Sequence, residues 1–224
     1  MAIDALTRQQ TEAPADPTPN PRFARLPDEA TIQRTADALR AKGYEVHIAA
    51  TREEARRLVL EQVPEGAEVG QGASATLDEI GVTEAIEAPG RYDAVRPKTR
   101  SMDRSTAEGQ REMRKVGGVP DYWLNSVHAI TEDGRIVVVS NTGSQLGPIA
   151  FGAGTVIFAA GVHKIVADLE TALKRVDEYT LRLENVRMQG LYGMNSAVNK
   201  VLIVNKEFRP GRFIVILIRE AIGF

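Results

Sequence analysis

Apolar and polar positions along this 224-residue chain fall into blocks that switch between a helical and a strand period. Asp28 stands as an N-cap before a helix carrying Ile32, Ala36 and Leu39 on one face. Gly43 ends that helix, and residues 44–49 read as a strand. Thr51 caps a second helix with Ala55, Leu58 and Val59 inward. A short strand at 67–69 runs into the loop Gly70-Gln71-Gly72-Ala73-Ser74, where Ser74 caps a helix that stops at Gly81. Residues 82–100 read as loop-rich, and the charged stretch 101–116 as an exposed helix. Two strands follow, at 122–127 and 135–140, with the hairpin signal Asp133-Gly134 between them. The polar loop 141–147 leads to a short helix, and residues 154–161 read as a buried strand. Asp168 opens the clearest helix, with Leu169, Ala172, Leu173 and Val176 on one face. Strands at 200–205 and 212–218 close the pattern.

Strands alternating with helices predict an α/β fold, an open and mostly parallel sheet with helices on both faces. The Asp-Gly turn and the final strand pair add an expectation of some antiparallel pairing near the C-terminus. Residues 1–25 carry Pro14, Pro17, Pro19 and Pro21 without an apolar face, so a flexible tail is expected, followed by one domain over 26–224.

Composition narrows the function classes. The formal charge is −2 with both signs interspersed, which excludes the basic stripe of a nucleic-acid binder. With no cysteine, the chain has no disulfide, no thiol nucleophile and no cysteine-held iron–sulfur cluster. The longest apolar runs, at 155–162 and 213–218, are far too short to span a bilayer. The first residues do not form a secretory leader, so a cytoplasmic protein without a membrane partner is expected.

Four segments are candidates for chemistry. In the first loop, Gly70, Gly72, Ser74 and Thr76 suit a phosphate or carboxylate, since glycines expose backbone N–H groups before a helix N-terminus. The plainer alternative is a tight turn in which Ser74 is only a cap. The second segment places Asn125 and Ser126 near the carboxyl end of a strand, where open α/β sheets bind ligands, with His128 and Glu132 as candidate proton-transfer groups. The third is the polar loop with Asn141, Gly143 and Ser144, a backbone anion nest or a simple turn. The fourth is Lys164, placed to meet an anion after the most buried strand, or else a solvated loop lysine. His47, His128 and His163 lack metal-ligand spacing, so no metal is expected, and no cofactor either.

The run from Ser126 to Val176, the upstream Gly70–Gly81 segment and the ending Arg212–Phe224 together resemble the LUD (lactate-utilisation) domain family. The resemblance implies a fold akin to ribose-phosphate isomerases, glucosamine-phosphate deaminases and coenzyme A transferases. It also implies binding of a small anionic metabolite and action with separate iron–sulfur redox proteins in lactate oxidation. Two departures stand out. Ser144-Gln145 replaces a common Asn-Arg, removing a carboxylate clamp, and Val162-His163 precedes Lys164 where an asparagine is common. Two other readings stay open: a stand-alone coenzyme A transferase-like or isomerase-like enzyme with Glu132 as nucleophile, and a non-catalytic binding or scaffold module. A homodimer is expected, the commonest soluble oligomer.

Overall fold

The computed structural model describes residues 18–224. Of the expected tail, residues 1–17 lie outside the described residues. Residues 18–25 are ordered, contrary to expectation. Asn20 donates from its backbone to Glu178 O at 2.8 Å, and Phe23 is buried against Tyr179. The aromatic ring in this otherwise polar stretch supplies the apolar anchor that the prolines obscure.

Six parallel strands form the main sheet in the order β1-β10-β7-β4-β2-β3. They are β1 (Glu45–Ala49), β2 (Glu68–Gln71), β3 (Asp93–Ala94), β4 (Tyr122–Asn125), β7 (Thr155–Gly161) and β10 (Phe213–Ile218). Every residue of β10 is buried, as expected of a central strand covered on both faces. The period of two divides its side chains. Phe213, Val215 and Leu217 face one side with Val156, Phe158 and Ala160 of β7, while Ile214, Ile216 and Ile218 face the other with Ile157 and Ala159.

The first face is covered by α1 (Glu29–Ala41) through Ile32, Ala36 and Leu39, and by a second sheet. The other face carries α2 (Arg52–Glu61), α3 (Ala75–Glu79) and α4 (Val82–Glu87), which insert Ala55, Val59, Leu77 and Ile86. All three expected caps form. The side chains of Asp28, Thr51 and Ser74 accept from the backbone of Thr31, Glu54 and Leu77 at 2.7, 3.3 and 3.3 Å.

The second sheet has the order β8-β5-β6-β9, from β5 (Ala129–Thr131), β6 (Ile136–Ser140), β8 (Ile165–Val166) and β9 (Lys200–Val204). Here the expectation needs correction. Residues 122–127 are not one strand: the chain leaves the main sheet after Asn125 and starts β5 in the second sheet. The antiparallel pairs are β5 with β6 and β6 with β9, while β9 and β10 lie in different sheets. Residues 82–100 are also more ordered than expected. They form α4, β3 and the start of α5 (Val95–Ser101), because Val82, Ile86, Tyr92 and Val95 are buried. The exposed helix is α6 (Ala107–Gly118), with no buried residue. The helix capped by Asp168 is longer than its apolar stripe. After α7 (Leu169–Arg175) a π-helical turn at Val176–Thr180 leads into α8 (Leu181–Tyr192). Among the described residues, no helix is long and apolar enough to cross a membrane.

Candidate functional site

The segments after β2, β4 and β7 all leave the carboxyl edge of the main sheet, where parallel strands open a crevice. A cavity of about 570 Å³ occupies this edge and extends between the second sheet and α8. Gly72, Ser74, Thr76, Asn125, His128, Asn141, Ser144 and Lys164 all line it, so each of the four candidate segments contributes to one wall.

Three candidates lie elsewhere. Gly70 sits inside β2, where a Cβ would come 2.6 Å from the Trp123 ring, so it serves strand packing. Gly143 holds a turn with φ +89°, beside the Lys200 side chain. Glu132 is outside the cavity wall, 3.7 Å from Arg34 of α1. The neighbouring Gly134 explains this. Its φ is +84° and a Cβ would lie 2.8 Å from the Ala38 backbone, so the hairpin turn buttresses α1 and carries Glu132 away from the sheet edge.

Lys164 departs furthest from the solvated-lysine alternative, being 1% exposed. Its Nζ donates to Thr76 Oγ1 at 3.1 Å, Ser126 Oγ at 3.0 Å and the main-chain oxygen of Phe224 at 2.8 Å. These three bonds match the three donors of an ammonium group. No Asp or Glu side chain of the described residues forms an ion pair with it. Burial, followed by the nearby Arg175 charge, holds the amine well below the usual lysine range, with Glu79 opposing.

Arg175 is fully buried beneath the same wall. It donates to His128 O at 2.6 Å and Thr180 Oγ1 at 2.9 Å, with its guanidinium 5.0 Å from the centre of the Tyr179 ring. Its Nε and Nη2 have no partner. Burial lowers its pKa to about 10. His163 is buried beside it, edge-on to Tyr179, and is pushed down to about 3 by burial and then by Arg175 and Lys164.

His128 reaches the cavity in a different role from the one expected. Val139 N–H donates to its Nδ1 at 3.1 Å, which places the ring proton on Nε2. Burial, then the Lys164 and Arg175 charges, push its pKa to about 3. The ring is therefore neutral at ordinary pH and offers an N–H donor. A nitrogen that already carries a proton cannot act as a general base. Ser74 likewise spends its oxygen on the cap of a five-residue helix, so the turn alternative describes its contact.

Several residues of the wall escape sequence reasoning. Arg96 and Trp123 line the cavity with Nη1 and Nε1 buried and without acceptors. Arg96 comes from the segment read as loop, which offers no periodic signal. Arg175 carried a readable one, a charge between the inward Ala172 and Val176 of an otherwise apolar face. Asp78 and Glu184 also line the cavity, and Glu184 is paired with Arg187 at 2.7 Å. Among the described residues, no group of three or more His, Cys, Asp or Glu is placed to hold a metal ion.

Fold and site together define an α/β protein with a cavity at the carboxyl edge of a parallel sheet, with Lys164 in its wall and Arg175 buried beneath. Residues 32–218 match the model of the LUD domain, and the chain belongs to that family. Among solved structures it is similar to a DUF162 family protein from Deinococcus radiodurans, with a TM-score of 0.52 and 9% identity, covering 87% of this chain and 99% of the other. That likeness concerns the fold. A weaker likeness, with a TM-score of 0.35 and 14% identity, is to eIF2B delta from Chaetomium thermophilum, over 55% of this chain and 50% of that one. No curated protein matches.

Proposed function

We propose that this LUD-domain protein binds a small carboxylate or phosphate metabolite in the cavity and acts with separate redox partners in lactate oxidation. The observation that carries the reading is a pair of buried basic side chains without a direct acidic partner, Glu79 acting on Lys164 only from beyond ion-pair distance. Lys164 and Arg175 are 1% and 0% exposed, and neither forms an ion pair with Asp or Glu among the described residues. Buried charges are ordinarily paired, and an anionic ligand is the partner that this arrangement lacks. The unpartnered Arg96 Nη1, Trp123 Nε1 and the His128 Nε2–H add donors in the same wall. The redox partners are suggested by membership of the LUD domain family, and without cysteine in this sequence a cysteine-held iron–sulfur cluster would belong to another chain. With Glu132 facing Arg34, the coenzyme A transferase-like alternative loses its nucleophile at this cavity.

Calorimetric titration of the full chain with lactate, pyruvate and inorganic phosphate tests the reading. Wild type should bind at least one of these anions. Lys164→Met should bind it about tenfold more weakly, through loss of the buried positive charge, since the three Nζ donors are already taken by Thr76, Ser126 and Phe224. Equal affinity in the two proteins, or no binding of any anion, would overturn it.

A further inference from the structure

One part of the cavity wall is built for donors rather than for an anion. Four amide side chains line it: Gln71, Asn125, Asn141 and Gln145. The Asn141 oxygen is taken by Asn199 Nδ2 at 2.6 Å, whereas each of the other three spends its NH2 group on an oxygen. Gln71 Nε2 donates to Glu87 Oε1 at 3.0 Å, Asn125 Nδ2 to Ser126 O at 2.5 Å, and Gln145 Nε2 to Val139 O at 2.7 Å. Those contacts set the orientation of each amide, because an NH2 and not an oxygen must face an acceptor. The amide oxygens are left over. Gln71 Oε1 and Asn125 Oδ1 are buried without a partner, in residues 4% and 2% exposed.

Gly72 brings two of these oxygens together. A Cβ there would lie 2.0 Å from Asn125 Oδ1 and 2.9 Å from Gln145 Oε1. Both oxygens therefore crowd the space above one residue, and glycine is what leaves room for them. An oxygen of a carboxylate, phosphate or ketone is repelled by such a cluster, whereas an O–H or N–H group is bound by it. An ammonium group would also supply donors, but it would enter a cavity with Lys164 in its wall and Arg175 buried beneath. Hydroxyl groups supply donors without that charge penalty.

We propose that these amide oxygens form a hydroxyl-recognising subsite, so that the ligand carries two or more hydroxyl groups beside its anionic group. The proposal rests on the anion reading above and narrows it to polyhydroxylated carboxylates or phosphates. Lactate brings one hydroxyl and leaves other amide oxygens without a donor. The cavity of about 570 Å³ also exceeds what a three-carbon acid fills, lying within the roughly 300–1,000 Å³ range of sites for larger ligands.

The test is a calorimetric series on the full chain with propionate, lactate, glycerate and alanine, and with inorganic phosphate and glycerol phosphate. Affinity should rise from propionate to lactate to glycerate by about three- to tenfold per hydroxyl, the value of one net hydrogen bond. The two phosphate probes should separate in the same direction if the natural anion is a phosphate. Asn125→Leu and Gln145→Leu should each flatten the series while leaving propionate or inorganic phosphate binding within about twofold. Gln145 is only partly buried, so that variant keeps the test usable if Asn125→Leu fails to fold. Equal binding of propionate and glycerate overturns the subsite and leaves the anion reading standing. Tighter binding of alanine than of lactate overturns it in favour of an ammonium ligand. Absence of binding by every probe overturns both readings.

Discussion

Replacing Lys164 tests whether a buried amine at the cavity floor also supports the fold. Lys164→Ala removes three methylenes and an amine from a site that is 1% exposed, with three hydrogen bonds at 2.8–3.1 Å. Truncating a large buried side chain to alanine costs about 2–5 kcal/mol through lost contacts and the cavity left behind. The oxygens lose less. Thr76 Oγ1 and Ser126 Oγ are 3.1 Å apart and keep each other as partners. The amine also pays a desolvation penalty in the folded state that alanine escapes, as its lowered pKa shows. A net loss of about 2–4 kcal/mol is expected for Lys164→Ala, while the near-isosteric Lys164→Met, which refills the volume, should lose about 1–2 kcal/mol. For a domain of this size that is roughly 4–16 °C in Tm for alanine and roughly 2–8 °C for methionine. Thermal unfolding by circular dichroism, with urea titration at 25 °C, reads both. A Tm within 2 °C of wild type for Lys164→Ala would show that the lysine is not part of the core.

Two further predictions probe the surroundings. His128 and His163 have folded pKa values of about 3 against about 6.5 unfolded, so the unfolded chain binds more protons between those values. Their stabilisation is complete above pH 6.5 and is lost as pH falls toward 3, at up to about 1.4 kcal/mol per pH unit for each ring. The urea midpoint should drop clearly from pH 7 to pH 5, and an unchanged midpoint would refute the burial of both rings. Glu132→Gln should leave anion affinity unchanged and stability within about 0.5 kcal/mol, because its 3.7 Å contact with Arg34 is a surface pair. A tenfold loss of affinity in that variant would return Glu132 to the site.

What could be read from the sequence is what local chemistry controls. Asp28, Thr51, Ser74 and Asp168 announce helix starts because a cap needs one side chain and the next three backbone groups. The all-apolar run of β10 announces a central strand, and the strand-to-helix position of the 70–76 loop points to the correct sheet edge. Long-range partners were not legible. Nothing near Glu132 says that the turn at Gly134 meets Ala38, nearly a hundred residues earlier in the chain. Nothing around His128 tells that Val139 N–H will occupy Nδ1, since that contact forms only when β5 and β6 pair. The split between Asn125 and Ala129 was hidden for the same reason. A continuous apolar run is compatible with one strand, and only the second sheet divides it. Lys164 lines the cavity but is buried, whereas a lysine after a glycine-ended strand reads as solvated unless its distant acceptors, Thr76 and Ser126, are known.

The contrast among the buried cations of this domain separates structural from functional charge. Arg212 is 5% exposed and fully accounted for: its Nη1 pairs with Glu207 at 2.8 Å, and Nε and Nη2 reach the carbonyls of Ala153, Pro148 and Ile149. It ties β10 to the segment before β7, and a fold that needs a buried guanidinium for that purpose brings a carboxylate to it. Arg175 is buried as deeply, yet it has only a carbonyl, a hydroxyl and an aromatic face, with two nitrogens unpartnered. Lys164, whose pKa is lowered first by burial and then by the Arg175 charge, likewise has no acidic ion-pair partner among the described residues, Glu79 acting on it only from a distance. Where both groups are charged, their repulsion disfavours the fold at the sheet edge where the cavity opens. An anion entering there would relieve the repulsion and raise the pKa of Lys164, so binding should take up protons wherever the free amine is partly neutral. Titrations in buffers of different ionisation enthalpy measure that uptake directly. A proton count of zero at every pH at which the fold is stable would mean that the ligand, if bound, does not meet Lys164.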